Sequence, residues 1–454
     1  MTDEHRSADG ATSIPTTAAL PLIPLTKPAV GEEEAQAAAD AVRSGWLSEG
    51  ERVAAFERAV AERVGATYAV AVSSGTAALH LALLSAGIRP GDEVILPSFG
   101  SISTVNAVAY VGARPVFVEI DQRNYDMAPM MVESLITSRT RAIMPVDYLG
   151  APAALAPIAG IARRFNILLI EDASSAMGGT YRGKPIGGVS PITCFSFSQS
   201  RIITTGEGGM LVTNEREIAL RAQRLRSQGI GHGDAAPPQT HAGDALLDEP
   251  YEELGYSYRL TDVQAAIGLA QLNKLNDILA QRRALAHRYN ELLSNEPGVT
   301  IPYSSAHAPH TYQSYCLRLD PRQTPPRSFI IERMRARGVV TQRGGVTVHE
   351  EPFYIARLGR VSLPFSEQAM RETLLLPLYV GMTESEQDRV VSALREALSA
   401  GPQNDTPNYG PFGAFGSYPG GFAGSYPSGA SSGSYGYGSS GEGYGSGPTQ
   451  RYRS

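Results

Sequence analysis

The chain has 454 residues, 42% of them hydrophobic and 19% charged, and a formal net charge of -6. That length can bury a large core and leaves room for two domains plus tails. The acidic balance excludes a basic field for nucleic acid or an anionic membrane surface.

Up to about residue 22 the chain is rich in Thr, Ala, Ser and Pro without periodicity and reads as a disordered lead-in. The start, Met1 to Arg6, lacks the basic cluster and apolar stretch of a secretory signal, and no apolar run reaches membrane-spanning length. A soluble cytoplasmic protein is the expectation. Cys194 and Cys316 lie in apolar strand-like runs, which predicts buried free thiols.

From Ile23 to about Ala400 strand-like and helix-like segments alternate. Apolar spacing predicts helices over Glu32–Val42 and Thr76–Leu84. Short apolar runs predict buried strands at Ala69–Val72, Val94–Pro97, Val116–Ile120, Ala142–Val146 and Ile167–Ile170. This alternation points to an α/β domain with a mainly parallel sheet over residues 23–262. A long helical pattern, Val263–Leu293, then opens a smaller C-terminal α+β region over 263–400. That region carries a strand at Tyr312–Leu319 and helices at Phe329–Arg337 and Glu384–Leu398.

At about Gly401 the composition shifts to Gly, Ser, Pro and Tyr. Such a tail cannot bury enough aliphatic surface to offset its ordering entropy, so residues 401–454 are expected to be disordered. Its spaced aromatic residues read either as transient contact points for a partner or as part of an inert extension.

Several motifs in this order carry chemistry. Ser73-Ser74-Gly75-Thr76-Ala77-Ala78 follows a strand and opens a helix, where backbone N–H groups and the helix dipole can hold a phosphate. Glu171-Asp172-Ala173 ends a buried strand. Cys194-Phe-Ser-Phe-Ser-Gln-Ser-Arg201 runs on through Ile-Ile-Thr-Thr to Gly206-Glu-Gly-Gly209, and Gly255-Tyr-Ser-Tyr-Arg259 leads into Leu-Thr-Asp-Val-Gln. The eight histidines show no metal-ligand spacing, so no metal site is expected.

Together with Lys27-Pro28, Gly45-Trp46-Leu47 and Gly91-Asp-Glu-Val-Ile-Leu-Pro-Ser98, these motifs resemble the DegT/StrS sugar aminotransferases over residues 23–400. The resemblance implies a fold-type I architecture dependent on pyridoxal phosphate (PLP), with a seven-stranded-type sheet, and a dimer acting on a nucleotide sugar in polysaccharide or antibiotic biosynthesis. It implies that Gly75, Thr76, Ala77 and Ser196 hold the cofactor phosphate. Asp172 would keep the pyridinium nitrogen protonated, so that the ring acts as an electron sink. The segment with Ser257 and Arg259 would reach into the partner subunit's site, with Arg259 and His349 facing substrate.

The departures from the family pattern are equally specific. At the position of the lysine that forms the Schiff base with PLP stands Arg201, whose guanidinium stays charged and planar and cannot make that bond. Ser101 replaces a ring that stacks on the cofactor, Ser175 a ring-facing residue, Ser257 a phosphate-binding asparagine, and Asp147 a histidine. The chain's other cations of the right type are Lys27, in an entry loop, Lys184, in a turn-rich hairpin, and Lys274, on a polar helix face; none is expected to reach the cofactor.

At most, PLP or pyridoxamine phosphate (PMP) would be held without a covalent bond, and the alternative is no cofactor at all. Three readings follow. The first is a homologue without Schiff-base chemistry, working as a homodimer or as a subunit paired with a lysine-bearing paralogue. The second is a transaminase or dehydratase of a nucleotide-linked keto sugar that uses exchanging cofactor. The third is a module that binds a sugar nucleotide. Arg201 itself is expected either to pair with Asp172 or to offer its fork to a ligand phosphate.

Overall fold

The computed structural model describes residues 21–230 and 250–400. The lead-in through residue 20 and the tail from Gly401 lie outside the described residues. The principal sheet is built from β1 (Tyr68–Val72), β2 (Glu93–Pro97), β3 (Arg114–Val118), β4 (Thr140–Ile143), β5 (Leu168–Asp172), β6 (Ile192–Ser196) and β7 (Gly209–Thr213). Its seven strands lie in the order β1, β7, β6, β5, β4, β2, β3. Pairing is parallel from β6 through to β3, while β7 runs antiparallel to both of its neighbours. The exception has a local cause: β6 turns straight back into β7 through residues 197–208, the segment that carries Arg201.

These strands are short apolar runs because helices cover both faces. Every residue of β2, β6 and β7 is buried. Helix Glu51–Val64 buries Val53, Phe56, Val60 and Val64 along one stripe, exposes Glu51, Arg58, Glu62 and Arg63, and turns Glu57 inward to pair with the buried Arg226. Helix Gly75–Ser85 has almost no polar face and is buried nearly all round.

A second sheet, antiparallel throughout, orders Val299–Thr300, Tyr315–Leu319, Thr373–Leu376 and Gln342–Arg343 side by side. Helices Leu275–Leu293, Arg327–Ala336 and Glu384–Ser399 close over it around Tyr289, Tyr315, Ile330, Met334 and Leu394.

Three expected elements end differently. The long helical pattern is two helices, Asp262–Asn273 and Leu275–Leu293, divided at Lys274, whose backbone N–H returns to the Gln271 and Leu272 carbonyls. The strand expected through Val146 keeps regular pairing only to Ile143, with Val146 making an isolated bridge to Asp172. The strand expected from Tyr312 starts at Tyr315, because Tyr312 has a φ of 54°.

Because β1, β2, β5 and β6 all point the same way, the loops after them gather at one edge of the sheet. Ligands of open α/β sheets bind at that edge. It brings together Ser73–Ala77, Ser98–Ser101, Asp172–Ser175 and Phe197–Arg201.

Candidate active site

The strand register fixes one side of the site. Val72 pairs with Gly209, and Gly209 with Ser196, so the end of β1 lies close beside the end of β6. Ser74 caps the following helix, its Oγ accepting from the Ala77 N–H at 3.1 Å. The first-turn N–H groups of Gly75 and Thr76 have no carbonyl of their own helix to reach. A Cβ on Gly75 would lie 2.6 Å from the Ser196 Cβ, and one on Gly209 would lie 2.3 Å from the Ser74 carbonyl oxygen. Both glycines are therefore needed for this close approach. The result is a cradle of backbone donors with the Ser196 hydroxyl beside it, the geometry that holds a phosphate.

Asp172 lies at the end of β5, 3% exposed. Its Oδ2 accepts from the Thr104 hydroxyl at 2.6 Å and its Oδ1 from the Ser174 N–H at 3.1 Å. The carboxylate is thus oriented from the first turn of helix Ile102–Tyr110. Thr104 is a site residue that sequence reasoning missed, although its place three positions after Ser101 on one helix face was a usable signal.

Arg201 reaches toward the same carboxylate. Its Nη1 donates to the Ser175 Oγ at 2.7 Å, while its Nε is buried without a hydrogen-bond partner. Burial pushes its pKa down, opposed by the negative charge or dipole of Asp172, Tyr148 and Glu207. Among the described residues Arg201 makes no ion pair within 4 Å, so the expected direct pairing with Asp172 is not formed; Ser175 takes the fork instead. Nearby, the Gln313 amide donates to the Ser200 carbonyl at 2.9 Å, tying the Arg201 loop to the segment before the second sheet.

No lysine substitutes for the missing amine. Lys27 and Lys184 are exposed, and Lys274 is held by Glu34 and, at 3.2 Å, by Glu33. Ser101 provides no ring; its Oγ caps the helix by accepting from Ser103 N–H and shares a 2.6 Å hydrogen bond with the Ser103 hydroxyl. Tyr148 supplies an aromatic side chain nearby. Its hydroxyl donates to the Gly344 carbonyl at 2.6 Å and its ring meets Phe99 edge-on.

Behind Asp172 is a buried acidic pair. Asp147 donates its backbone N–H to the Asp172 carbonyl at 2.9 Å and accepts at Oδ1 from the Ala153 N–H at 2.8 Å. Its Oδ2 and the Glu171 Oε1 find no donor among the protein's fixed N–H and O–H groups. Burial, with the Glu171 charge adding to it, pushes the Asp147 carboxyl well up; burial also raises Glu171, opposed by hydrogen bonds from neighbours including Thr193.

Three further expected residues, Ser257, Arg259 and His349, lie outside this cluster. Ser257 and Arg259 are exposed and hydrogen-bonded to each other at 3.1 Å, on a segment whose Tyr258 carbonyl accepts from the Ser73 N–H. His349, expected to face substrate, is instead enclosed, with its side chain 1% exposed. Its Nδ1 shares a 2.6 Å hydrogen bond with Ser98 Oγ and its Nε2 faces Glu367 Oε1 at 3.5 Å. It ties the end of β2 to the later part of the chain and offers no open side of the ring.

The residues present fit a phosphate-bearing pyridine in part. The cradle suits the phosphate and Asp172 suits a ring nitrogen. No lysine amine reaches the site to form a Schiff base with an aldehyde, and Ser101 offers no ring to stack on the cofactor. Among the described residues no helix is long and apolar enough to cross a membrane, and no cluster of His, Cys, Asp or Glu could hold a metal ion.

Comparison with known proteins gives one answer. A GDP-perosamine synthase of Caulobacter vibrioides is 38% identical over 381 residues, covering 84% of this chain and 99% of that protein. The aminotransferase TlmJ from Streptoalloteichus hindustanus superposes with a TM-score of 0.77 at 32% identity, over 84% of this chain and 99% of TlmJ. The sugar aminotransferase CalS13 from Micromonospora echinospora has a TM-score of 0.74 at 27% identity, over 83% of this chain and 100% of CalS13. The sequence profile of the DegT/DnrJ/EryC1/StrS aminotransferases matches residues 28–395, and the chain belongs to that family.

Proposed function

We propose that this protein binds a nucleotide-linked keto sugar at the edge where β1, β2, β5 and β6 end. Any amination there uses PLP or PMP that enters and leaves freely, held by contacts alone. The observation that carries this is the Asp172 carboxylate, oriented by Thr104 and Ser174 next to an intact phosphate cradle while no lysine reaches it. Holding a protonated pyridine nitrogen needs only the Asp172 carboxylate; a covalent anchor needs an amine, and none of the chain's lysines reaches the site. The GDP-perosamine synthase and the sugar aminotransferases among its relatives support a nucleotide-sugar substrate.

In this site the cofactor would supply an electron sink and the transferable amino group. The chain's own residues would bind its phosphate at Gly75, Thr76, Ala77 and Ser196 and fix its ring through Asp172. The experiment is incubation of the full chain with PMP and a panel of nucleotide-linked keto sugars, reading amino-sugar product by mass spectrometry. Product that disappears in Asp172→Asn supports the reading. No product across the panel contradicts amination.

Arg201 favours a second reading, a subunit without catalysis of its own. Arginine is a poor base near neutral pH, so it does not replace the proton-shuttling role of an amine. The exposed Ser257 and Arg259 remain available to complete a partner's site. Co-expression with a lysine-bearing paralogue would then yield a heterodimer, and recovery of homodimers alone would contradict that pairing.

A further inference from the structure

We propose that Arg201 makes this pocket select the oxo form of the cofactor over the amino form, PLP over PMP. The inference rests on the pocket assignment above and concerns which substituent the pocket accepts. In the family, the side chain at this position meets the cofactor's reactive carbon. That carbon bears an aldehyde oxygen in PLP and an amino group in PMP.

The side chain that meets it here is a pure donor. A guanidinium has five N–H groups, no acceptor and a permanent charge. Ser175 Oγ fixes one end of the fork at 2.7 Å, and the Nε proton is buried with no partner. That Nε lies beneath the protein surface, so an incoming acceptor oxygen is met by the fork's second arm, Nη2, which makes no hydrogen bond among the described residues and gains a charge-assisted one. The PLP aldehyde, or its hydrate, provides this oxygen.

PMP brings the opposite. Protonated, its amino group offers only donors and a second positive charge, and like charges repel more strongly in a partly buried site than in water. Asp172 does not compensate selectively, because its role is toward the ring nitrogen, which both forms of the cofactor carry. Of the groups around Arg201, Asp172 and Glu207 are the acidic ones, while burial keeps the Tyr148 phenol protonated and neutral. A bound PMP must therefore be loaded from excess, while conversion of bound PMP to bound PLP gains the oxygen that Arg201 accommodates.

The test is competitive binding to the full chain of PLP, PMP and 4′-deoxypyridoxine phosphate, whose methyl group is neutral and makes no hydrogen bond. The expected result is PLP tighter than PMP by about tenfold or more, with PMP no tighter than the methyl analogue. In Arg201→Gln the ratio of PLP to PMP affinity falls to within about twofold of unity. A measurement on the unaltered chain guards against misfolding of that variant. Raising the pH until the PMP amine loses its proton narrows the ratio, since protein groups common to both complexes cancel. Equal affinities, or PMP the tighter ligand, would overturn this inference alone. Binding of none of the three would overturn the pocket assignment itself.

Discussion

The site has two sides that are built differently. On one, Ser74, Gly75, Ser196 and Gly209 interlock so tightly that a single added Cβ would collide with a neighbour at 2.6 Å or less. On the other stand Ser101, Ser175 and Arg201, where the family resemblance implies groups facing the cofactor ring, and the first caps its own helix. Holding a phosphate uses backbone donors and the absence of side chains, whereas covalent chemistry depends on one amine. The first can therefore stay whole when the second is lost.

Breaking the intact side should have the largest effect. Gly75→Val forces a branched side chain against Ser196, destabilising the fold by about 1–3 kcal/mol and abolishing detectable PLP binding in a titration. Retained binding would mean that the phosphate sits elsewhere. Thr104→Val tests the link between the two sides. It removes the hydroxyl that donates to Asp172 Oδ2 without changing volume much, and an orphaned buried acceptor costs about 1–3 kcal/mol. Cofactor affinity should fall about tenfold, and an unchanged affinity would show that Asp172 orientation is irrelevant to binding.

Smaller, and confined to pH dependence, is the effect of the acid pair behind Asp172. Asp147 and Glu171 both have raised folded-state pKa values. The folded chain therefore binds more protons than the unfolded one, and stability from the pair is complete below the unfolded carboxylate range and is lost as pH rises through the folded values. Asp126, pushed up to about 7 by burial, adds to the same loss between the ordinary carboxylate range and neutrality. Asp147→Asn keeps an acceptor for Ala153 and supplies a permanent donor to Glu171. Its thermal midpoint should exceed that of the native chain by a few degrees at alkaline pH and by less in acid. A pH-independent difference would contradict the raised pKa values of the pair.

The strands and the phosphate turn were legible in sequence because each is a local pattern: an apolar run of four or five residues, or a capping serine before Gly-Thr-Ala-Ala. Arg201 was legible through its neighbours, Phe195-Ser-Phe before it and Gly206-Glu-Gly-Gly after it. Tyr148 was not, since its role arises only when the fold brings distant segments together, and for Thr104 the helix face shared with Ser101 was a signal but its partner Asp172, 68 residues away, was not. His349 was assigned by motif to substrate, but its partner Ser98 lies 251 residues away and only the fold shows the ring enclosed. The break at Lys274 was hidden for a simpler reason: helical apolar spacing continues on both sides of it.

The most direct measurement of the central claim is borohydride reduction of the native chain and of Arg201→Lys, each incubated with PLP, followed by peptide mass spectrometry. The account predicts no adduct in the native chain and an adduct at position 201 in the variant, because the pocket persists and only the amine is missing. An adduct on Lys27, Lys184 or Lys274 of the native chain, or no adduct in either protein, would contradict it.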